Sequence, residues 1–374
     1  MMKFGFKKIG CLLFTLLFVI TSSGFNSGAL ASSNELETVS EYIVTNPYVY
    51  PITPLTTPVK WKSFQSHDEM IEACQIPDDV LHNLTTPQLV KACLDYPLSG
   101  DVLQYNSYDT GFQSQYRSFN GLQELFKRQN FASELTKLFL SLDLSDLTET
   151  EFLPSYKFRF INVLISQDAV VDALTNNEKE AILAKSQSLQ DNIRNKYQNI
   201  FVQDDIANAS QRIASSMVDT SSPITPYDYS TTVQTQKGTD VPAIKVTTEL
   251  SSEDYQEALN WINTTYPNAT ILRNPTKKYN CHSYAWYSQS SSNTIWIDRP
   301  NQRTWWEDGS WVRTTSSPVR GMKVDYYSSD HSAIVYNASI YDSKWGANCL
   351  VRHTPSYCPY SSSTRHFYDA GDWS

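Results

Sequence analysis

The spacing of hydrophobic positions changes from helical in the first part of the chain to alternating in the last third. Between residues 63 and 201, apolar side chains recur every three or four positions, as in the stripe of Ile182 and Leu189 behind a capping sequence at Thr175. From Thr294 onward the spacing becomes two, which is typical of strands. We therefore predict an α+β protein that begins with an all-helical domain.

Several alternating stretches of the last third are predicted strands. They are Thr294 to Ile297, Met322 to Tyr327, Ser332 to Tyr336, Ser339 to Ser343 and Asn348 to His353. A short helix is predicted after Ser251, and another begins at Cys281. A helix packed on a small antiparallel sheet is the layer arrangement that we expect for this part.

Composition divides the chain into five segments. A Ser/Thr/Pro-rich stretch around Ser221 to Pro226 predicts a linker rather than a packed element. The predicted segments are 1–31, a signal peptide; 32–62, an extended lead-in; 63–201, the helical domain; 202–248, the linker; and 249–374, a C-terminal domain.

The first residues have the features of an export signal. Lys3, Lys7 and Lys8 precede an apolar run from Ile9 to Ile20, and Ala29 to Ala31 forms a cleavage pattern. Cleavage would remove three lysines and no acids, which moves the formal charge from -9 to -12. An acidic surface excludes nucleic acid and anionic membranes as expected partners. We predict a secreted protein, extracellular or associated with the cell wall, with no membrane contact after signal removal.

The cysteines that follow the signal allow two local disulfides and leave one thiol over. The candidate pairs are Cys74 with Cys93 and Cys349 with Cys358, and the remaining cysteine is Cys281. Sequence alone does not fix this pairing, and an unpaired state of all five stays open.

The stretch around Cys281 points to nucleophilic chemistry. Asn280 can cap a helix that starts at Cys281, and a thiol at a helix N-terminus is exposed to the positive end of the helix dipole, which favours the thiolate. Fifty residues later, His331 stands at the start of an apolar strand. We predict Cys281 as the nucleophile and His331 as the base. His282 would face about 100° away from Cys281 on a helix, so we treat it as a neighbour.

A third group should orient the imidazole of the base. Ser343 on the next predicted strand and His353 on the strand after it are the candidates, and Asp342 should point to the opposite face from Ser343. The backbone N–H of Cys281 and one unidentified group would stabilise the oxyanion. No C-x-x-C, H-E-x-x-H or Gly-rich phosphate loop is present, so we expect neither a metal nor a cofactor.

These residues resemble the NlpC/P60 and CHAP group of papain-like cell-wall hydrolases. The likeness lies in Asn280 to Trp286, in His331 to Val335 and in a polar residue on the next strand, and it covers roughly residues 250–374. Residues Ser343 to Gly346 are also similar to the Asn-Ser-Trp-Gly segment of papain-like peptidases, with Ser343 in place of the asparagine. The resemblance implies cleavage of peptide bonds in peptidoglycan stems or an amidase cut.

The sequence therefore predicts a secreted thiol hydrolase that cleaves peptide or amide bonds, with a peptide or peptidoglycan as its substrate. Two other readings stay open at this point. One is a non-catalytic exported binding protein on a degenerate papain-like fold. The other is a transglutaminase-like acyl transferase, which uses cysteine and histidine in the same order.

Overall fold

A computed structural model of the chain describes residues 44–142, 152–196, 200–217, 229–360 and 363–372. The predicted signal peptide lies outside these residues. All of them belong to one compact unit, Val39–Ser374. The unit combines helices with antiparallel sheets, which confirms the predicted α+β class. Within the described ranges, no helix is long and apolar enough to cross a membrane.

The first part of the unit is helical. Its helices are α1 (Pro58–Lys62), α2 (His67–Ala73), α3 (Asp78–Leu81), α4 (Thr86–Leu94), α5 (Tyr108–Ser118), α6 (Asn120–Leu125), α7 (Phe131–Ser141), α8 (Phe152–Ile165), α9 (Asp168–Ala173), α10 (Asn176–Lys196) and α11 (Ile200–Met217). A 3₁₀ helix at Ser99–Gln104 precedes α5. The predicted cap of α10 is confirmed, because the Glu178 carboxylate accepts hydrogen bonds from the Thr175 hydroxyl and N–H at 2.8 Å.

The second part contains ten strands among the described residues, with α12 (Ser252–Thr265) and α13 (Thr304–Glu307) between some of them. The strands are β1 (Tyr229–Gln234), β2 (Asp240–Lys245), β3 (Thr270–Arg273), β4 (Ile295–Trp296), β5 (Trp311–Thr314), β6 (Lys323–Tyr326), β7 (His331–Asn337), β8 (Ile340–Lys344), β9 (Leu350–His353) and β10 (Arg365–Ala370). They form a three-stranded sheet, β1-β2-β4, and a seven-stranded antiparallel sheet, β3-β9-β8-β7-β6-β10-β5.

At the centre of the seven-stranded sheet, β6 and most of β7 are buried on both faces, and β7 is the middle strand. On one face, which we call the helical face, Ala333 and Val335 of β7 join the same hydrophobic core as Trp61 and Phe139 of the helical part. On the other face, which we call the turn face, a second core forms around Trp286 and the three-stranded sheet. Successive side chains of a strand point to opposite faces, so alternate residues of β7 enter the helical face and the turn face.

The shared core corrects the predicted division into a helical domain and a catalytic domain joined by a linker. Of residues 202–248, those up to Met217 belong to α11, and residues 229–234 and 240–245 form a hairpin of β1 and β2. Ile206, Ala209 and Ile213 are buried at helical spacing along α11. This stripe stabilises a helix in a stretch whose Ser, Thr and Asp content had suggested a linker.

Two smaller expectations also differ from the structure. The lead-in is not extended throughout, since its last residues form α1 with Trp61 fully buried. The five cysteines in the described part of the chain are all free and buried, so neither Cys74 with Cys93 nor Cys349 with Cys358 is bonded.

Candidate functional site

Cys281 begins a short helical turn that packs on the turn face of the sheet. The Asn280 side chain accepts a hydrogen bond from the Ser283 N–H at 3.0 Å and so caps the turn as predicted. The turn continues as a π-helix over Ser283–Tyr287. Trp286, at its far end, is buried in the core of the turn face. This packing fixes the position of the thiol, whose residue is only 1% exposed.

His282 is held between two side chains, one from Asp330 just before β7 and one from Ser332 within it. Its Nε2 lies 2.8 Å from Asp330 Oδ1, and its Nδ1 lies 2.8 Å from Ser332 Oγ. The Ser332 hydroxyl oxygen also accepts the indole N–H of Trp286 at 2.9 Å. Asp330 and Ser332 are two positions apart, so both reach the turn face together. The imidazole therefore has a partner at each nitrogen although it is fully buried.

The charges of this cluster support one another. Burial alone would lower the pKa of His282, but the neighbouring charges of Cys281 and Asp330 raise it well above its usual range. Burial would raise the pKa of Asp330, yet its hydrogen bond and ion pair with His282 hold that pKa below the ordinary value. Both directions favour an imidazolium–carboxylate pair beside the thiol. A cationic neighbour of this kind stabilises a cysteine thiolate.

Asn106 belongs to the helical part but lies at the same site. Its Nδ2 is 3.6 Å from Cys281 Sγ and 3.0 Å from Asp330 Oδ2. It stands between the 3₁₀ helix and α5, so a residue 175 positions before the cysteine contacts the thiol. The site is thus built from both parts of the compact unit.

The structure does not pair His331 with Cys281 as predicted. His331 lies between Asp330 and Ser332, so its side chain points to the helical face. There its ring stacks on Tyr360 at a centroid distance of 3.6 Å. Neither ring nitrogen has a hydrogen-bond partner among the described residues. Burial lowers the pKa of His331 well below its usual range, with further lowering from the charges of nearby histidines.

Ser343 and His353 form a separate cluster and do not orient a base at the site. The Ser343 hydroxyl donates to His353 Nε2 at 2.7 Å, while His353 Nδ1 donates to the Thr354 carbonyl at 2.8 Å. Burial lowers the pKa of His353 to about 4. Asp342 points away from Ser343, as predicted, and forms an ion pair with Arg352 at 2.7 Å.

The predicted nucleophile is therefore surrounded by residues other than the predicted partners. The cluster at the thiol consists of Cys281, His282, Asp330, Ser332 and Asn106. Sequence reasoning placed His282 at the periphery and did not consider Asp330. A signal for Asp330 was present, because polar residues at alternate positions 330 and 332 at the start of an apolar strand must face the same side.

The arrangement supplies a thiol, an acid–base group and a carboxylate that orients it. Within the described ranges, no group of three or more His, Cys, Asp or Glu side chains could hold a metal ion. In comparisons with protein-family models, curated proteins and solved structures, nothing matches this chain.

Proposed function

We propose that the protein is a secreted thiol hydrolase that cleaves peptide or amide bonds, with cell-wall peptides as the substrate class. The observation that carries the proposal is the buried cluster of Cys281, His282 and Asp330, in which the imidazole is fixed at both nitrogens. Nucleophile, base and orienting carboxylate are the three groups that thiol-dependent acyl transfer requires.

The proposed reaction starts from a thiolate at Cys281 and an imidazolium at His282. The sulfur forms a bond to the substrate carbonyl carbon, and the carbonyl π electrons move to the oxygen. When the tetrahedral species collapses, the carbon–nitrogen bond breaks, and His282 gives its proton to the leaving amine. Water then attacks the thioester, His282 takes one of its protons, and the thiolate leaves. Asp330 keeps the imidazole in place through both steps.

The resemblance to NlpC/P60 and CHAP enzymes supports this assignment at the level of a cysteine turn packed on an antiparallel sheet. The proposal departs from the resemblance in the base. The family places it on a later strand, where His331 stands, whereas the interaction of His282 with Cys281 and Asp330 favours His282. Export rests on the Lys3 to Ala31 sequence, and wall peptides are the substrates that an exported hydrolase of this kind would meet.

The test uses purified peptidoglycan and casein with the protein, and the products are identified by mass spectrometry. Cys281→Ala should abolish product formation. His282→Ala should lower the rate by about 10²–10⁴-fold, the usual contribution of a general acid–base group. His331→Ala is the matched control, and it should keep most of the activity if the variant is folded.

Two results would contradict the proposal. Product formation by Cys281→Ala would remove the thiol from the chemistry. A folded His331→Ala variant that is as inactive as His282→Ala would show that His331, on β7, is needed as the base. Addition of a primary amine distinguishes hydrolysis from acyl transfer, because only a transferase would join the amine to the acyl group in preference to water.

A further inference from the structure

The side chain of Asn106 lies where the proposed reaction requires a hydrogen-bond donor to the oxyanion. Its two N–H groups face two partners, Cys281 Sγ at 3.6 Å and Asp330 Oδ2 at 3.0 Å. An oxyanion donor must lie beside the attacking sulfur, since the developing oxygen charge is one bond from the carbon that the sulfur attacks. Asn106 meets that condition from outside the cysteine turn.

Its orientation is fixed by a second asparagine. Asn280 Nδ2 donates to Asn106 Oδ1 at 3.3 Å and to the Ile297 carbonyl at 2.7 Å. The Asn280 carbonyl oxygen accepts the Ser283 N–H, which anchors it to the start of the turn. The Asn106 oxygen is held by this bond and lies 4.0 Å from Cys281 Sγ, while the Asn106 Nδ2 group makes the shorter contacts with the thiol and the carboxylate. A pre-oriented donor costs no reorganisation when the transition state forms.

Asn106 also connects the thiol to a large cleft. A cavity of about 870 Å³ lies between residues 103–109, α8, α11 and a short stretch at Ala347 and Asn348. Asn106 lines this cavity, whereas Cys281 is almost fully buried behind it. Asn106 is therefore the residue that lies both on the cavity wall and beside the sulfur.

We propose that Asn106 is a catalytic residue, the oxyanion donor of the site, and that this cavity is the substrate cleft. The inference rests on the proposed function. As the sulfur–carbon bond forms and the carbonyl electron pair moves to oxygen, the N–H that faces the sulfur donates to that oxygen, together with the backbone N–H of Cys281. When the carbon–leaving-group bond breaks, the carbonyl reforms and the donor is released.

The experiment compares two reactions of the same thiol in the full protein. p-Nitrophenyl acetate acylates a thiol through a tetrahedral oxyanion, whereas iodoacetamide alkylates it without one. Asn106→Ala should slow acylation by about 10²–10³-fold, the effect of removing one oxyanion donor. Its alkylation rate should stay close to that of the wild type. Asn263→Ala, at an exposed asparagine of α12 that does not line this cavity, is the matched control and should change neither rate.

Other outcomes would overturn the inference. Equal losses of rate in both reactions would show that Asn106 stabilises the thiolate. Faster rates in both reactions would show that Asn106 shields the sulfur from reagents. Unchanged acylation in Asn106→Ala, with Cys281-dependent acylation in the wild type, would refute the role of Asn106 alone. A wild-type thiol that is not acylated would refute the proposed function as well. Thermal melting checks folding, and Asn106→Ser repeats the test if the alanine variant unfolds.

Discussion

The two faces of the seven-stranded sheet carry the same trio of side chains, a serine between a histidine and a tryptophan. On the turn face, Ser332 contacts His282 Nδ1 at 2.8 Å and accepts the Trp286 N–H at 2.9 Å. The trio is fully or almost fully buried. It stands directly beside the cysteine, with which we propose that it acts.

On the helical face, Ser343 contacts His353 Nε2 at 2.7 Å and accepts the Trp345 N–H at 3.0 Å. This trio is equally buried, but it has no chemistry to serve in the proposed mechanism. The histidine differs in its remaining partner, which is a backbone carbonyl of Thr354 in place of a carboxylate.

The charged neighbours of each histidine set its charge. Beside Cys281 and Asp330 the pKa of His282 is raised well above its usual range, whereas burial without a hydrogen-bonded carboxylate lowers the pKa of His353 to about 4. Two trios with nearly the same contacts therefore hold an imidazolium in one place and a neutral imidazole in the other. Good hydrogen-bond geometry alone therefore does not identify a histidine as a candidate base, because the charges of its neighbours determine its pKa.

The substitution Asp330→Asn should have the largest effect on the difference between the two histidines, because it gives His282 a neutral partner. Burial should then lower the pKa of His282, and the thiol should lose its cationic neighbour. We expect the rate of thiol-dependent hydrolysis to fall by about 10³–10⁴-fold, as when the orienting carboxylate of a catalytic triad is removed. The measurement is kcat/KM with p-nitrophenyl acetate.

The control for this variant is Asp342→Asn on the same sheet. Asp342 pairs with Arg352 and makes no hydrogen bond to His282 among the described residues, so its loss should leave activity near the wild-type level. Full activity in Asp330→Asn would show that the carboxylate does not set the state of the imidazole.

The two serines allow a matched comparison of stability and activity. Ser332→Ala and Ser343→Ala each remove the acceptor of a buried tryptophan N–H and the partner of a buried histidine. The free energy of unfolding should fall by about 1–3 kcal/mol in both variants, measured by urea denaturation. Only Ser332→Ala should also lose activity, by about 10-fold, less than the full contribution of an acid–base group. Equal losses of activity in the two variants would contradict the prediction that only the trio beside Cys281 takes part in the reaction.

The smallest expected effect is a difference in pH dependence. His353 has a lowered pKa, so between pH 6.5 and about 4 the unfolded chain binds a proton that the folded chain does not. Stability should therefore fall as pH drops through this range, by at most about 1.4 kcal/mol per pH unit. His353→Gln should make this slope shallower in denaturation measured at pH 5 and pH 7. The raised pKa of His282 acts in the opposite direction, since its contribution is present below pH 6.5 and is lost only as pH rises through the folded value.

An unchanged slope in His353→Gln would assign the acid sensitivity elsewhere. His331 is the obvious second source, because its pKa is also lowered and it is fully buried. The double variant would separate the two contributions.

Local features of the fold could be predicted from the sequence because they rest on neighbouring residues. The cap of α10, the cap at Asn280 and the strands around His331 each follow from spacing within a few positions. The prediction of Cys281 as the nucleophile rests on the same kind of local signal, since a polar turn and a short apolar helix flank it. The strands β5 and β10 were not predicted, and their short polar sequences carry a weak signal.

The partners of the thiol could not be predicted in the same way. His282 would be remote from Cys281 on a regular helix, but it is brought into the site by Asp330 and Ser332, about fifty residues later. Asn106 is 175 residues away from the thiol and carries no motif. Such contacts depend on how whole elements pack, and helical or strand periodicity contains no information about which side chains meet across that packing.

The fit between the helical part and the sheet constrains how a chain like this could change by recombination. Trp61 donates its indole N–H to the Thr265 carbonyl at 2.8 Å, across 204 positions. Gly346 has a φ of +47°, and a Cβ at this position would lie 2.7 Å from the Gln104 carbonyl oxygen, two residues before Asn106. A gene that exchanged either half for a foreign segment would lose the bond and the close approach together. We therefore expect the two halves to tolerate exchange only as a pair, and a side chain at 346 to require a different backbone path at Gln104.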